Sequence, residues 1–225
     1  MIKQGGLVLR LFMAVGVFFL LSIGLAELYS IFPVSKDPVV GIGLVNSILC
    51  AIILVFLWWR GALKANRLRY PEMGGLIVWM PAVLVVAFAL LVTLGSSVMS
   101  QSAPSRELSY SPLVTVIWIP FVEEVVFRAG VGPIFRRTLS GLGGLYLSAL
   151  FFAFAHSLPT IEKIAEGNVG VPIGALMLGF VCELIYVNTG RLMPAVAFHG
   201  ACNLCGVLYA LLDPRWLEWL DFLFL

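Results

Sequence analysis

The chain has 225 residues, 61% of them hydrophobic and 12% charged, with a mean hydropathy of +1.04. Ordinary soluble domains run at roughly 45–50% apolar and about 25% charged, so this is the composition of a protein that crosses a membrane several times. A formal net charge of +2 with no basic run offers nucleic acid nothing to bind.

A helix needs about 20 apolar residues to cross the hydrocarbon of a bilayer. In chain order the predicted spans are Leu7–Tyr29, Val39–Trp59, Gly74–Val98, Tyr110–Val131, Leu142–Leu158, Val169–Asn188 and Leu192–Leu212. The expected fold is therefore all-α: a polytopic transmembrane helix bundle of about seven spans (six to eight) with a polar site inside it. Lys3 and Arg10 before the first apolar run imitate a signal peptide. That run is long and lacks a convincing A-x-A site, so it reads as an uncleaved span. The tail Trp216–Leu225 is too short to span and, with two tryptophans, suits the interface. The whole chain reads as a single transmembrane domain, with 1–105 of unassigned role, 106–212 as the core and 213–225 as an interfacial tail.

Loop charges orient the bundle. With the N-terminus inside, the cytoplasmic side carries Lys3, Arg10, Arg60, Lys64, Arg67, Arg69, Arg136, Arg137 and Arg191, against Lys36, Arg106, Lys163 and Arg215 outside. The bias predicts a cytoplasmic N-terminus. Cys50, Cys182, Cys202 and Cys205 all fall in spans, which argues against a disulfide framework. The Cys202-x-x-Cys205 pair reads as small packing residues, because a structural zinc site would need two further ligands.

Against this apolar background a few ionisable groups stand out. Such groups are costly in lipid and collect where they are paired or functional. Glu124 and Arg128 lie four apart on one helical face and can satisfy one another. Glu123 is turned about 100° from that face, so the same arginine serves it poorly. A carboxylate in an apolar site without a close cation is suited to proton transfer near neutral pH. His199 and Asn203 are again four apart. Together they can donate to the oxygen that becomes negative when a carbonyl is attacked, or simply bond another helix. His156 follows Phe152 by four, near the end of its span, where a histidine is usually an interfacial residue. Glu183 is a further buried acid without an evident partner in the sequence.

Taken together, these elements resemble the CPBP (CAAX protease and bacteriocin-processing, or Abi) family of intramembrane proteases. The first motif, E-E-x-x-x-R, stands here as Glu123-Glu124-Val-Val-Phe-Arg128. The second, F-x-x-x-H, is Phe152 to His156, and the third, H-x-x-x-N, is His199 to Asn203. Thr189-Gly190 looks like the family's turn before the last motif. The resemblance spans Pro112–Leu208. Ala129-Gly130 follows the arginine where the family often has glycine at once.

The resemblance implies an intramembrane endopeptidase of glutamate type. Glu123 and His156 would activate a water, His199 and Asn203 would hold the oxyanion, and Glu124 and Arg128 would support the site. It implies no cofactor. The alternative is a zinc-dependent version with Glu123, His156 and His199 as ligands and water in the fourth position. Expected partners are membrane lipid and a peptide or protein substrate, lipidated or carrying a sorting tag, with no nucleic acid. The small size and charge bias suit a prokaryotic plasma membrane.

The rival class is a transporter or an immunity-type binder, since proton relays also use buried Glu and His. The internal repeats typical of transporters are absent from the sequence. H-E-x-x-H and G-x-S-G are absent too, and Asp37, Asp213 and Asp221 all lie outside the spans.

One difficulty is depth. Straight spans place Glu123 about 18 Å below the outer surface and His156 only about 9 Å, at 1.5 Å per residue. Breakage of the helix at Pro133, with a partly embedded Gly132–Ser140 segment, is the expected remedy.

Overall fold

The computed structural model describes residues 38–59, 80–90, 113–139, 141–157 and 171–212, with scattered positions between 9 and 24. Among these there is no strand; the architecture is all-helical. We label the helices α1 (Pro38–Trp59), α2 (Met80–Leu90), α3 (residues 113–138), α4 (Leu142–Ser157), α5 (Ile173–Thr189) and α6 (Leu192–Leu212). Among the described residues α6 alone is long and apolar enough, by length and composition, to cross a membrane; Val45–Trp59, α2, Leu142–His156 and α5 are apolar but shorter. Most of Leu7–Tyr29, both ends of Gly74–Val98, the Arg60–Arg69 loop and the 213–225 tail lie outside the described residues.

Helix α3 is the spine. It has two π-helical turns, Val114–Trp118 and Val125–Val131, each followed by an α-helical segment with proline in its first turn, Pro120 and Pro133. Proline lacks an N–H, and in an α-helix its ring collides with the carbonyl four residues back. For Pro120 and Pro133 those carbonyls belong to Val116 and Ala129, one in each wide turn. Widening the turn relieves the collision, so the helix runs on. Pro133 therefore does not break the chain as expected: Gly132–Thr138 is helical, with Gly132 and Phe135 buried. The run ends at Leu139, which is extended, and Gly141 reverses the chain at φ 69°.

Helices α4 and α5 pack closely because their contact is lined by small residues. A Cβ on Gly179 would lie 2.9 Å from the Phe152 ring and 3.3 Å from the Ala149 carbonyl. Gly190 caps α5 in the left-handed conformation (φ 64°), donating its N–H to Tyr186 O at 2.8 Å. Thr189 Oγ1 donates to Ile185 O at 2.7 Å and accepts from Arg191 N at 3.2 Å. The Thr-Gly pair is thus a turn that returns the chain along α5 as α6. Helix α6 then lies on α3, and α1 packs on the second half of α3. A core of Val122, Val125, Phe127, Phe135, Phe151 and Phe152 fills the space between α3 and α4.

Candidate active site

Three motif segments on α3, α4 and α6 meet at one point. Glu123 Oε2 lies 3.5 Å from His156 Nε2 and 3.6 Å from His199 Nε2, so the depths expected to differ coincide. Glu123 is 12% exposed at its side chain, His199 2% and His156 35%; the site is closed on the α6 side and open at the end of α4.

Each imidazole is anchored through its other nitrogen. His156 Nδ1 stands 2.8 Å from Phe152 O, the carbonyl one turn back. A carbonyl only accepts, so this nitrogen carries the proton. His199 Nδ1 stands 2.9 Å from Glu124 Oε1, and the same reasoning protonates it toward the carboxylate. In their neutral forms both rings then present lone pairs at Nε2 toward Glu123 Oε2. That oxygen is buried and has no hydrogen-bond partner. Three acceptors converge, and what satisfies them must bring protons or positive charge: a water, an imidazolium proton or a cation.

Behind them lies an ion-pair network. Arg128 donates from Nε to Glu124 Oε2 at 2.8 Å and from Nη2 to Glu124 Oε1 at 3.3 Å, with both side chains fully buried. Its plane sits over the Phe152 ring, 4.7 Å from the centroid. The rings of His156 and His199 lie 4.3 and 5.8 Å from the same phenyl group, so Phe152 packs against Arg128 and both imidazoles at once. This gives the first residue of F-x-x-x-H a task that spacing alone did not suggest.

Glu183, expected to lack a partner, has three. It is fully buried on α5 and pairs with Arg136 Nη1, with Arg128 Nη1 at 3.6 Å, and with Ser148 Oγ at 3.3 Å. Arg136 was expected in a cytoplasmic loop. It lies instead in the last turns of α3, half-buried, and folds back into the bundle.

Asn203 comes next to α3 by a route that begins at Pro120. Within the first π turn Ile119 N–H bonds Val114 O, five residues back. The donors that would serve Thr115 O in π geometry and Val116 O in α geometry both fall on Pro120, which has none. Asn203 Nδ2 donates to Thr115 O at 2.9 Å. The Val116 carbonyl faces Gly200, where a Cβ would stand 2.6 Å from it. One Asn203 N–H is thereby committed to holding α6 on α3, and the second remains for another acceptor.

Residues 106–205 match the family described as Rce1-like, type II CAAX prenyl endopeptidase. Over this segment, less than half of the chain, the sequence is similar to that family. No curated protein and no solved structure matches the chain. The match covers all three motifs and agrees with the resemblance read from them. The Rce1-like family is one of membrane-embedded endopeptidases, which makes hydrolysis of a peptide bond the chemistry to consider for this site.

The residue types suit zinc, but among the described residues Glu123, His156 and His199 do not form a set whose ligand atoms all lie within 4.8 Å of one another, so as they stand they do not fit a three-ligand zinc site. Each imidazole Nε2 lies near Glu123 Oε2, and His199 is backed by a carboxylate as zinc-bound histidines commonly are. The grouping that does lie within 4.8 Å among the described residues is Glu124, Cys182 and His199, but its carboxylate is already held by Arg128, which opposes a cation there.

Proposed function

We propose that the chain is a polytopic intramembrane endopeptidase that cleaves a peptide bond near the end of a membrane-associated or lipidated substrate. The observation that carries this reading is the orphaned Glu123 carboxylate oxygen between two imidazole nitrogens, each ring locked from behind. Separations of 3.5 and 3.6 Å are long for direct hydrogen bonds and leave Glu123 Oε2 free to accept from a water beside the imidazoles.

Glu123 and His156 hold the water, and Glu123 takes a proton as the oxygen attacks the scissile carbonyl. The oxyanion that forms accepts from His199 Nε2–H and from the second N–H of Asn203. His199 donates there only with both ring nitrogens protonated, one toward Glu124 and one toward the substrate. Collapse of the intermediate breaks the C–N bond, and the Glu123 proton passes to the leaving amine. Glu124 and Arg128 orient His199 and do not touch the substrate.

Charge supports a metal-free site. The network holds three carboxylates (Glu123, Glu124, Glu183) and two guanidiniums (Arg128, Arg136). One negative charge is left over, and a single imidazolium cancels it, whereas a divalent ion leaves a net positive charge in a buried site. In the zinc-dependent reading Glu123, His156 and His199 would hold the ion, which would supply an acidified water. We place the chain in a prokaryotic plasma membrane with a cytoplasmic N-terminus, on the loop-charge bias.

The test is cleavage of a membrane-peptide library by detergent-purified protein beside Glu123→Gln, with and without chelator. Cleavage that survives chelator and is lost by at least about 10²-fold in the variant supports the mechanism. Full turnover by Glu123→Gln sinks it. Loss in chelator with recovery in zinc favours the metal reading, and binding of a peptide or ion without cleavage favours the binder or transporter.

A further inference from the structure

Glu183 and Arg136 take no part in the chemistry above, yet they are joined to it through Arg128. Helix α5 brings Glu183 to the underside of Arg128, and the end of α3 returns Arg136 to the same carboxylate. The arrangement is built. Gly132 makes room for it, since a Cβ there would meet Arg136 Nη1 at 2.7 Å and Glu183 Oε1 at 3.2 Å. Ser148 donates to the second carboxylate oxygen, Tyr186 lies 5.3 Å under the Arg136 guanidinium, and Arg136 Nη2 donates to Arg128 O at 3.4 Å.

Arg128 is thus contested by two carboxylates. It gives Nε and Nη2 to Glu124, while its Nη1 is buried without a hydrogen-bond partner and stands 3.6 Å from Glu183 Oε2. A small rotation of the guanidinium would satisfy Nη1 at Glu183 and weaken the hold on Glu124. What restrains it is the charge already supplied to Glu183 by Arg136.

We propose that Arg136 is a positioning residue. By occupying Glu183 it keeps Arg128 on Glu124, and Glu124 in turn keeps the His199 Nδ1–H hydrogen-bonded to its carboxylate. Removing Arg136 leaves Glu183 uncompensated, draws Arg128 away from Glu124 and frees the His199 ring. Removing Glu183 as well abolishes the competition, so the second substitution repairs the first. A pair of residues that only added packing would show two losses instead.

The chain has two histidines, so ¹⁵N-histidine labelling yields two imidazoles, and His156→Gln identifies which is His199. Full-length protein in detergent is compared as wild type, Arg136→Gln, Glu183→Gln and the double variant. The expected result is a displaced His199 Nδ1 resonance in Arg136→Gln, with the wild-type position kept in Glu183→Gln and regained in the double variant. An unmoved resonance in Arg136→Gln, or a double variant as displaced as the single, overturns the proposal. If Arg136→Gln does not fold, the double variant, which buries no unpaired charge, decides: wild-type position supports, displacement overturns.

Turnover gives a second reading that rests on the protease assignment. Arg136→Gln lowers kcat by about 10- to 100-fold, the usual effect of losing a group that orients a site histidine, with KM little changed. The double variant recovers most of the loss. Because the spectrum needs no substrate, failure of the protease assignment leaves the positioning test intact.

Discussion

Replacing Gly200 by alanine adds one methyl group on the face of α6 that meets α3. Its Cβ would stand 2.6 Å from the carbonyl oxygen of Val116, against about 3.4 Å for an ordinary contact. The obstacle is backbone within a helix, so α6 must back away by about 0.8 Å. That movement carries Asn203 Nδ2 from 2.9 Å towards about 3.7 Å from Thr115 O, beyond hydrogen-bonding range. It draws His199, the neighbouring residue, off Glu124 in the same direction. Overpacking of this kind costs about 1–3 kcal/mol of stability. A displacement near 1 Å at a reacting centre costs about 10²-fold in rate. The assay is thermal unfolding in detergent together with peptidase turnover below the unfolding temperature. Gly200→Ala should lose a few degrees and about 10²-fold in kcat. A variant with wild-type melting and wild-type turnover would refute the reasoning that the bare Gly200–Val116 contact sets the position of His199 and Asn203.

Other outcomes follow from the same contacts. Pro120→Ala restores a backbone N–H beneath the Thr115 and Val116 carbonyls, giving them a partner within α3. Asn203 then competes for Thr115 O, and turnover should fall while thermal stability holds or rises; unchanged kcat would count against the link between Pro120 and Asn203. Asn203→Ala removes both the clamp and the proposed oxyanion donor, so kcat should drop about 10²- to 10³-fold with KM nearly constant, measured by steady-state kinetics on the same peptide.

Much of the site was legible because a helix translates spacing into direction. Glu124 and Arg128, four apart, do pair. Glu123, one residue off, does face elsewhere, into the two imidazoles. The Thr189-Gly190 turn was likewise readable, since a glycine at positive φ ends a helix in a recognisable way. Pro133 misled for a physical reason. Proline forbids the α-helical hydrogen bond but not the wide turn that precedes it here, and a π turn leaves no residue-level signature.

What the linear chain determined by itself is local and compositional: apolar helices, the faces on which charged and amide side chains lie, and the three motifs that mark an Rce1-like segment. Tertiary structure decided which of those faces meet. Glu183 finds Arg136 across 47 residues, His199 finds Glu124 across 75, and Asn203 finds Thr115 across 88. Such partners cannot be read from spacing, because they depend on how closely α3, α4, α5 and α6 approach. That approach is governed by where a Cβ is missing, at Gly132, Gly179 and Gly200, and by which carbonyls the prolines release from the helical ladder.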